Sequence, residues 1–134
     1  MAVTNPESHN DLIAGPVHTA LITVMADGQP QTTVVWCNTD GTHVLINTMN
    51  KFQKAKNMQR DPKVTFFANR RVTPLRYIEV DGTVVELTED GAMEHSDKLA
   101  ELYRCNSQLN HIMQHQNPCD HPCRGRFWKS RCEY

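Results

Sequence analysis

The sequence predicts a mainly β fold of antiparallel strands with a few short helices. Three observations predict it. Short β-branched and apolar segments are separated by Asp-Gly turn signals at Asp27-Gly28, Asp40-Gly41 and Asp81-Gly82. Such dipeptides between apolar runs mark hairpins. Helical spacing occurs only in brief stretches, and no apolar run approaches the ~18 residues that a membrane span requires.

Taken in order, Ser8 ahead of Asp11, Leu12 and Ile13, with Gly15-Pro16 behind, predicts a short N-capped helix. Val17 to Met25 then reads as a strand, turning at Asp27-Gly28 into a second strand over Gln31 to Cys37. Thr39-Asp40-Gly41 turns the chain again into a third strand from His43 to Thr48, so a meander forms. Phe52, Ala55 and Met58 fall at helical spacing within Lys51 to Arg60, and Asp61-Pro62 ends that helix. Lys63 to Asn69 predicts a fourth strand and Arg76 to Leu87 a long fifth, with a bulge or bend expected at Asp81-Gly82. Thr88 and Gly91 open a final helix, with Glu89 and Asp90 at its positive end, reaching about Tyr103.

The 134 residues fit one domain, and 39% apolar with 22% charged residues is ordinary for a globular chain rather than a disordered one. A formal net charge of −1 gives no reason to expect nucleic acid or a membrane as partner. That near-neutral total conceals a cationic stretch, Lys51, Lys54, Lys56, Arg60, Lys63, Arg70 and Arg71 against Asp61, followed by an acidic one from Glu79 to Glu101. The N-terminus lacks the basic-then-apolar order of a signal peptide, and the five cysteines do not suggest a secreted disulfide framework, so a cytoplasmic location is expected. Cys37 reads as a small buried hydrophobe.

The segment from Asn47 to Asn57 carries the chemistry. It runs from a strand end into a helix start and gathers hydroxyl, amide and ammonium groups. Unpaired N–H groups and the positive helix end favour an anion there, Thr48 can donate to it, and Lys51, Lys54 and Lys56 supply charge. The alternative is a solvated lysine face on a surface helix. The absence of a Gly-rich loop argues against nucleotide hydrolysis.

Four strings in register, Ala-Asp-Gly-Gln-Pro-Gln-Thr-Thr-Val-Val-Trp (26–36), Leu-Ile-Asn-Thr (45–48), Lys-Ala-Lys-Asn-Met-Gln-Arg-Asp-Pro-Lys-Val (54–64) and Arg-Tyr-Ile-Glu-Val-Asp-Gly-Thr-Val-Val-Glu (76–86), resemble the pyridoxamine 5'-phosphate oxidase-like family. The looser likeness is to its branch that uses coenzyme F420, a deazaflavin. The resemblance spans about residues 11 to 103. It implies a six-stranded antiparallel split β-barrel of the FMN-binding type, a homodimer, and FMN or coenzyme F420 lying at the dimer interface.

By position, the resemblance implies that Lys54 and Lys56 hold the cofactor phosphate, with Thr48 and Asn57 beside them. Gln31, Thr32, Val34, Val35 and Trp36 would bear the flat ring, although a lone Trp on a strand also suits a core or interface anchor. Met49 and Asn50 would line the transition, and Arg76 and Tyr77 would face the groove from the other subunit. The implied activity is an oxidoreductase passing hydride to or from a small-molecule acceptor; no residue distinguishes FMN from F420, and no general acid is assigned. A non-catalytic protein that binds or stores a flavin, deazaflavin or heme-like planar ligand is the competing class.

The barrel domain is expected to occupy residues 1–104, leaving a His- and Cys-rich tail at 105–134. His111, His115, Cys119 and Cys123 could hold zinc, but their spacing matches no standard finger, and an incidental tail is the plainer reading. The final apolar strand usual in the family is not evident; only Arg126 to Lys129 could stand in. A divergent or frame-shifted end is a third reading of this tail.

Overall fold

The computed structural model describes residues 7–104 and 127–133. After a 3-10 turn at Glu7–His9 the elements are α1 (Asn10–Ile13), β1 (His18–Val24), β2 (Pro30–Val35), β3 (Cys37–Thr39), β4 (Val44–Met49), α2 (Gln53–Arg60), β5 (Lys63–Arg70), β6 (Thr73–Thr88), α3 (Ala92–Arg104) and β7 (Phe127–Glu133). The first hairpin turns at Asp27-Gly28 as expected: Gly28 takes φ 88°, and Asp27 Oδ1 accepts the Gln29 N–H at 2.9 Å. Ser8 does not cap α1; it lies in the 3-10 turn, where its Oγ is 2.7 Å from His9 Nδ1.

The seven strands among the described residues form one antiparallel sheet in the order β2-β1-β5-β6-β7-β4-β3. Its two edges, β2 and β3, are consecutive in the chain with only Trp36 between them. Laid flat, seven strands would span roughly 29 Å at ~4.8 Å per gap, whereas the step from Val35 to Cys37 reaches about 7 Å. The sheet must therefore roll until its edges meet. Among the described residues no ladder joins β2 to β3, so the result is a split β-barrel, closed by a covalent link rather than by hydrogen bonds.

This architecture has one strand more than the six expected. The strand foreseen over Gln31 to Cys37 breaks at Trp36 into β2 and β3. The closing strand that seemed to be missing is present as β7, which pairs with β4 on one side, Thr48 opposite Trp128, and with β6 on the other, Val84 opposite Cys132. The break anticipated at Asp81-Gly82 is not there; both residues keep register with Thr65 and Val64. The irregularity falls instead between Val84 and Glu86, where β6 leaves β5 behind and follows β7.

Side chains of β1, β2, β4 and β5 fill the interior, among them Leu21, Val35, Val44, Ile46, Phe66 and Ala68. Leu12 and Ile13 of α1 and Met58 of α2 complete this core. Outside the barrel, α3 begins at Gly91 with φ 68° and is fastened by the Asn47 amide, which donates to the Ala92 carbonyl at 2.7 Å. Its far end places Tyr103 against Trp36, with ring centroids 5.3 Å apart and planes 15° apart. The Tyr103 hydroxyl accepts the Cys37 N–H at 3.0 Å and donates to the Cys37 carbonyl at 3.2 Å, so it occupies backbone groups that the missing β2–β3 ladder leaves open.

Candidate functional site

The strand–helix junction lies where β4 gives way to α2. Thr48 is only 4% exposed, and its Oγ1 has no hydrogen-bond partner among the described residues. Burying a hydroxyl without a partner costs free energy unless something else engages it. Met49, also buried, fixes the turn by accepting the Phe52 N–H at 3.1 Å, and Asn50 and Lys51 occupy the turn itself. Helix α2 starts at an uncapped end, because Phe52 in the N-cap position offers no side-chain oxygen and the first turn has no acidic residue. That leaves first-turn N–H groups and the positive helix end available to an anion.

The three lysines of the stretch are not equivalent. Lys54 is half-buried, its Nζ lies 5.4 Å from the centre of the Phe52 ring, and no carboxylate pairs with it among the described residues. Burial pushes its ammonium below the usual lysine pKa. Lys51 and Lys56 are exposed. Two positions along a helix turn the chain by about 200°, so Lys56 leaves the face that carries Lys54. Two of the arginines are committed elsewhere: Arg60 donates to the Val24 carbonyl, and Arg70 lies 3.3 Å from Asp11.

The pleat divides the residues expected to bear a ring. Gln31 and Val35 face inward, paired with Thr23 and Thr19 of β1, whereas Thr32 and Val34 face outward beside Ile22 and Ala20. The outward face continues from Ala20 to Phe67 on β5, and Phe67 stacks on Tyr77 of β6 at 5.3 Å. Val34 and Tyr77 remain 51% and 54% exposed, so this face is open, apolar at Ala20, Val34 and Phe67 and bordered by Glu79 opposite Phe67. Trp36 belongs to neither face and packs on Tyr103.

Two further expected positions have intrachain work. Arg76 places both guanidinium nitrogens on Asp11, at 2.9 and 2.7 Å, and also donates to the Ser8 carbonyl. This holds the Asp11 carboxyl down to about 2, against the ordinary 3.8. Asn57 is fully buried, and its amide is shared among Thr23, Gln31 and Gln53. Thr23 and Gln53 were not singled out by the sequence; the four-residue step from Gln53 to Asn57 was the available signal.

Thr48, Met49, Asn50, Lys51 and Lys54 thus follow one another from the end of β4 into the first turn of α2, whereas Arg76 and Tyr77 lie on β6. His111, His115, Cys119 and Cys123 lie outside the described residues, and the described ones contain no cluster suited to a metal. No helix among them is long and apolar enough to cross a membrane.

The donor set at the junction, an ammonium, a buried hydroxyl and a helix N-terminus, suits a phosphate group. A family profile described as pyridoxamine 5'-phosphate oxidase matches residues 6–121. Among solved structures, the chain is similar to an F420 reductase, at 25% identity over 96% of this chain and 94% of that one, with a TM-score of 0.78. A conserved hypothetical protein from Mycobacterium tuberculosis follows at 23% identity, covering 97% and 80%, with a TM-score of 0.66. The General Stress Protein 26 of Bacillus anthracis matches at 17% identity over 90% and 81%, with a TM-score of 0.58. Comparison with curated proteins gives no match.

Proposed function

Because the chain belongs to the pyridoxamine 5'-phosphate oxidase family, we propose that it is a cytoplasmic oxidoreductase that holds FMN or coenzyme F420 by its phosphate at the β4–α2 junction and serves a small-molecule acceptor. The observation that carries this reading is Lys54, a half-buried ammonium with no carboxylate partner among the described residues, beside an uncapped helix end. A phosphate would supply the missing charge, and Thr48 Oγ1 would gain an acceptor. The likeness to an F420 reductase along nearly the whole chain supports a redox role.

When bound, the cofactor supplies hydride transfer between its ring and the acceptor. The chain's own part is to orient and to keep water away. Lys54 and the first turn of α2 hold the phosphate, while the outward pleat of Thr32 and Val34 offers the ring a flat apolar bed. A second copy laid on the Val34–Phe67–Tyr77 face would cover that bed and form the homodimer.

The test is to titrate the purified apo-protein with FMN and with coenzyme F420, then to reduce the bound cofactor and add acceptors. Saturable binding, bleaching, and colour that returns with an acceptor support the enzyme. Binding without turnover points to a storage module, and binding of neither cofactor refutes the reading. Light scattering before and after loading reports the dimer.

A further inference from the structure

Helix α2 is tied to the sheet by a buried amide, besides the surface hydrogen bond from Arg60 to the Val24 carbonyl. Asn57 has no exposed surface, and its Nδ2 lies 3.0 Å from Thr23 Oγ1 and 3.1 Å from Gln31 Oε1. Thr23 and Gln31 face each other across β1 and β2, so a single carboxamide grips both members of a cross-strand pair. Its Oδ1 accepts from Gln53 Nε2 at 2.9 Å, which returns the tie to the first turn of the same helix. Lys54 sits three residues before Asn57, on the same side of the helix and about 4.5 Å along its axis.

We propose that Asn57 is a positioning residue that fixes the spacing between the phosphate-gripping turn of α2 and the ring-bearing strand β2. This inference rests on the functional reading above. Asn57 touches no cofactor itself, since its donors and acceptor are engaged within the fold. The reason to spend a fully buried polar group here is geometric. A ligand with a charged end and a flat end binds well only when both subsites stand at the right separation, because the second contact is then intramolecular. An apolar residue would pack α2 as firmly but would leave only the exposed Arg60–Val24 hydrogen bond to set its position along β1 and β2.

The prediction is that loosening the tie harms a two-ended ligand and spares its halves. Dissociation constants for FMN, riboflavin and inorganic phosphate would be measured on wild type, Asn57→Leu and Thr23→Val. Thr23→Val removes one acceptor while keeping shape, and it decides the matter should Asn57→Leu not fold. The expected result is FMN binding weakened about tenfold, ~1.4 kcal/mol, with riboflavin and phosphate changed by less than about twofold. Equal weakening of all three ligands, or unchanged FMN binding alongside a lowered Tm, overturns the positioning role while leaving the functional reading intact. Wild-type protein that binds neither FMN nor coenzyme F420 overturns both.

Discussion

Replacing Lys54 by alanine is the most informative perturbation, because the structure separates this ammonium from its neighbours. A hydrogen bond to a charged group contributes about 1.5–3 kcal/mol. At ~1.4 kcal/mol per decade, losing the phosphate contact should weaken cofactor binding by about 10- to 150-fold. The upper half of that range applies here, since Lys54 is already partly stripped of water in the fold and needs little further desolvation on binding. Lys56 is exposed, so Lys56→Ala should cost no more than ~1 kcal/mol, about fivefold. Lys54→Met adds a stability signature: with no carboxylate partner to lose among the described residues, the apo-protein should be as stable as wild type or more so. Fluorescence titration of each apo-variant with FMN and coenzyme F420, together with thermal melts, measures all of this. Equal losses at Lys54 and Lys56, or a Lys54→Ala effect below twofold, would refute the assignment.

Thr48→Val should leave the apo-protein unchanged or stabilise it by up to ~1 kcal/mol, because it removes a buried hydroxyl without a partner, while weakening cofactor binding by about threefold to tenfold; paired melts and titrations check both signs. Tyr103→Phe strips partners from the Cys37 N–H and carbonyl, and should destabilise by about 2–4 kcal/mol in denaturant unfolding without changing cofactor affinity in the folded fraction. Asp11 has a folded pKa of about 2 against 3.8, so its pairing with Arg76 stabilises the fold fully above pH ~4 and is lost as pH falls through about 2. Because the pair lies at the surface, solvent screening keeps its contribution to a small amount. Asp11→Asn should lower stability by that amount at pH 7 and converge with wild type near pH 2, as read from unfolding at each pH.

Local chemistry made most of the elements legible. Asp27-Gly28 announces the first hairpin, the alternation of Lys63 to Arg70 announces β5, and Phe52, Ala55 and Met58 announce α2. The last strand is only faintly legible, through Arg126 to Lys129, because it is poor in aliphatic residues. Phe127 to Glu133 does alternate, with Lys129, Arg131 and Glu133 spaced by two, but it has no Val, Ile or Leu to advertise a strand. At the candidate site, sequence singles out the Thr48–Lys54 corner by its residue types alone. It could not rank the lysines, which differ in burial, nor foresee the capture of Arg76 by Asp11, a partner 65 positions away. The split of Gln31 and Val35 from Thr32 and Val34 was within reach, since adjacent residues of any strand point to opposite sides.

Strand β7 is the rung that joins two parts of the sheet: among the described residues no other ladder connects β2-β1-β5-β6 to β4-β3. Thr48 stands on the smaller part and Thr32 and Val34 on the larger, so without the β7 pairing the proposed phosphate corner and ring bed would be held together by α2 and the shared core rather than by one continuous sheet.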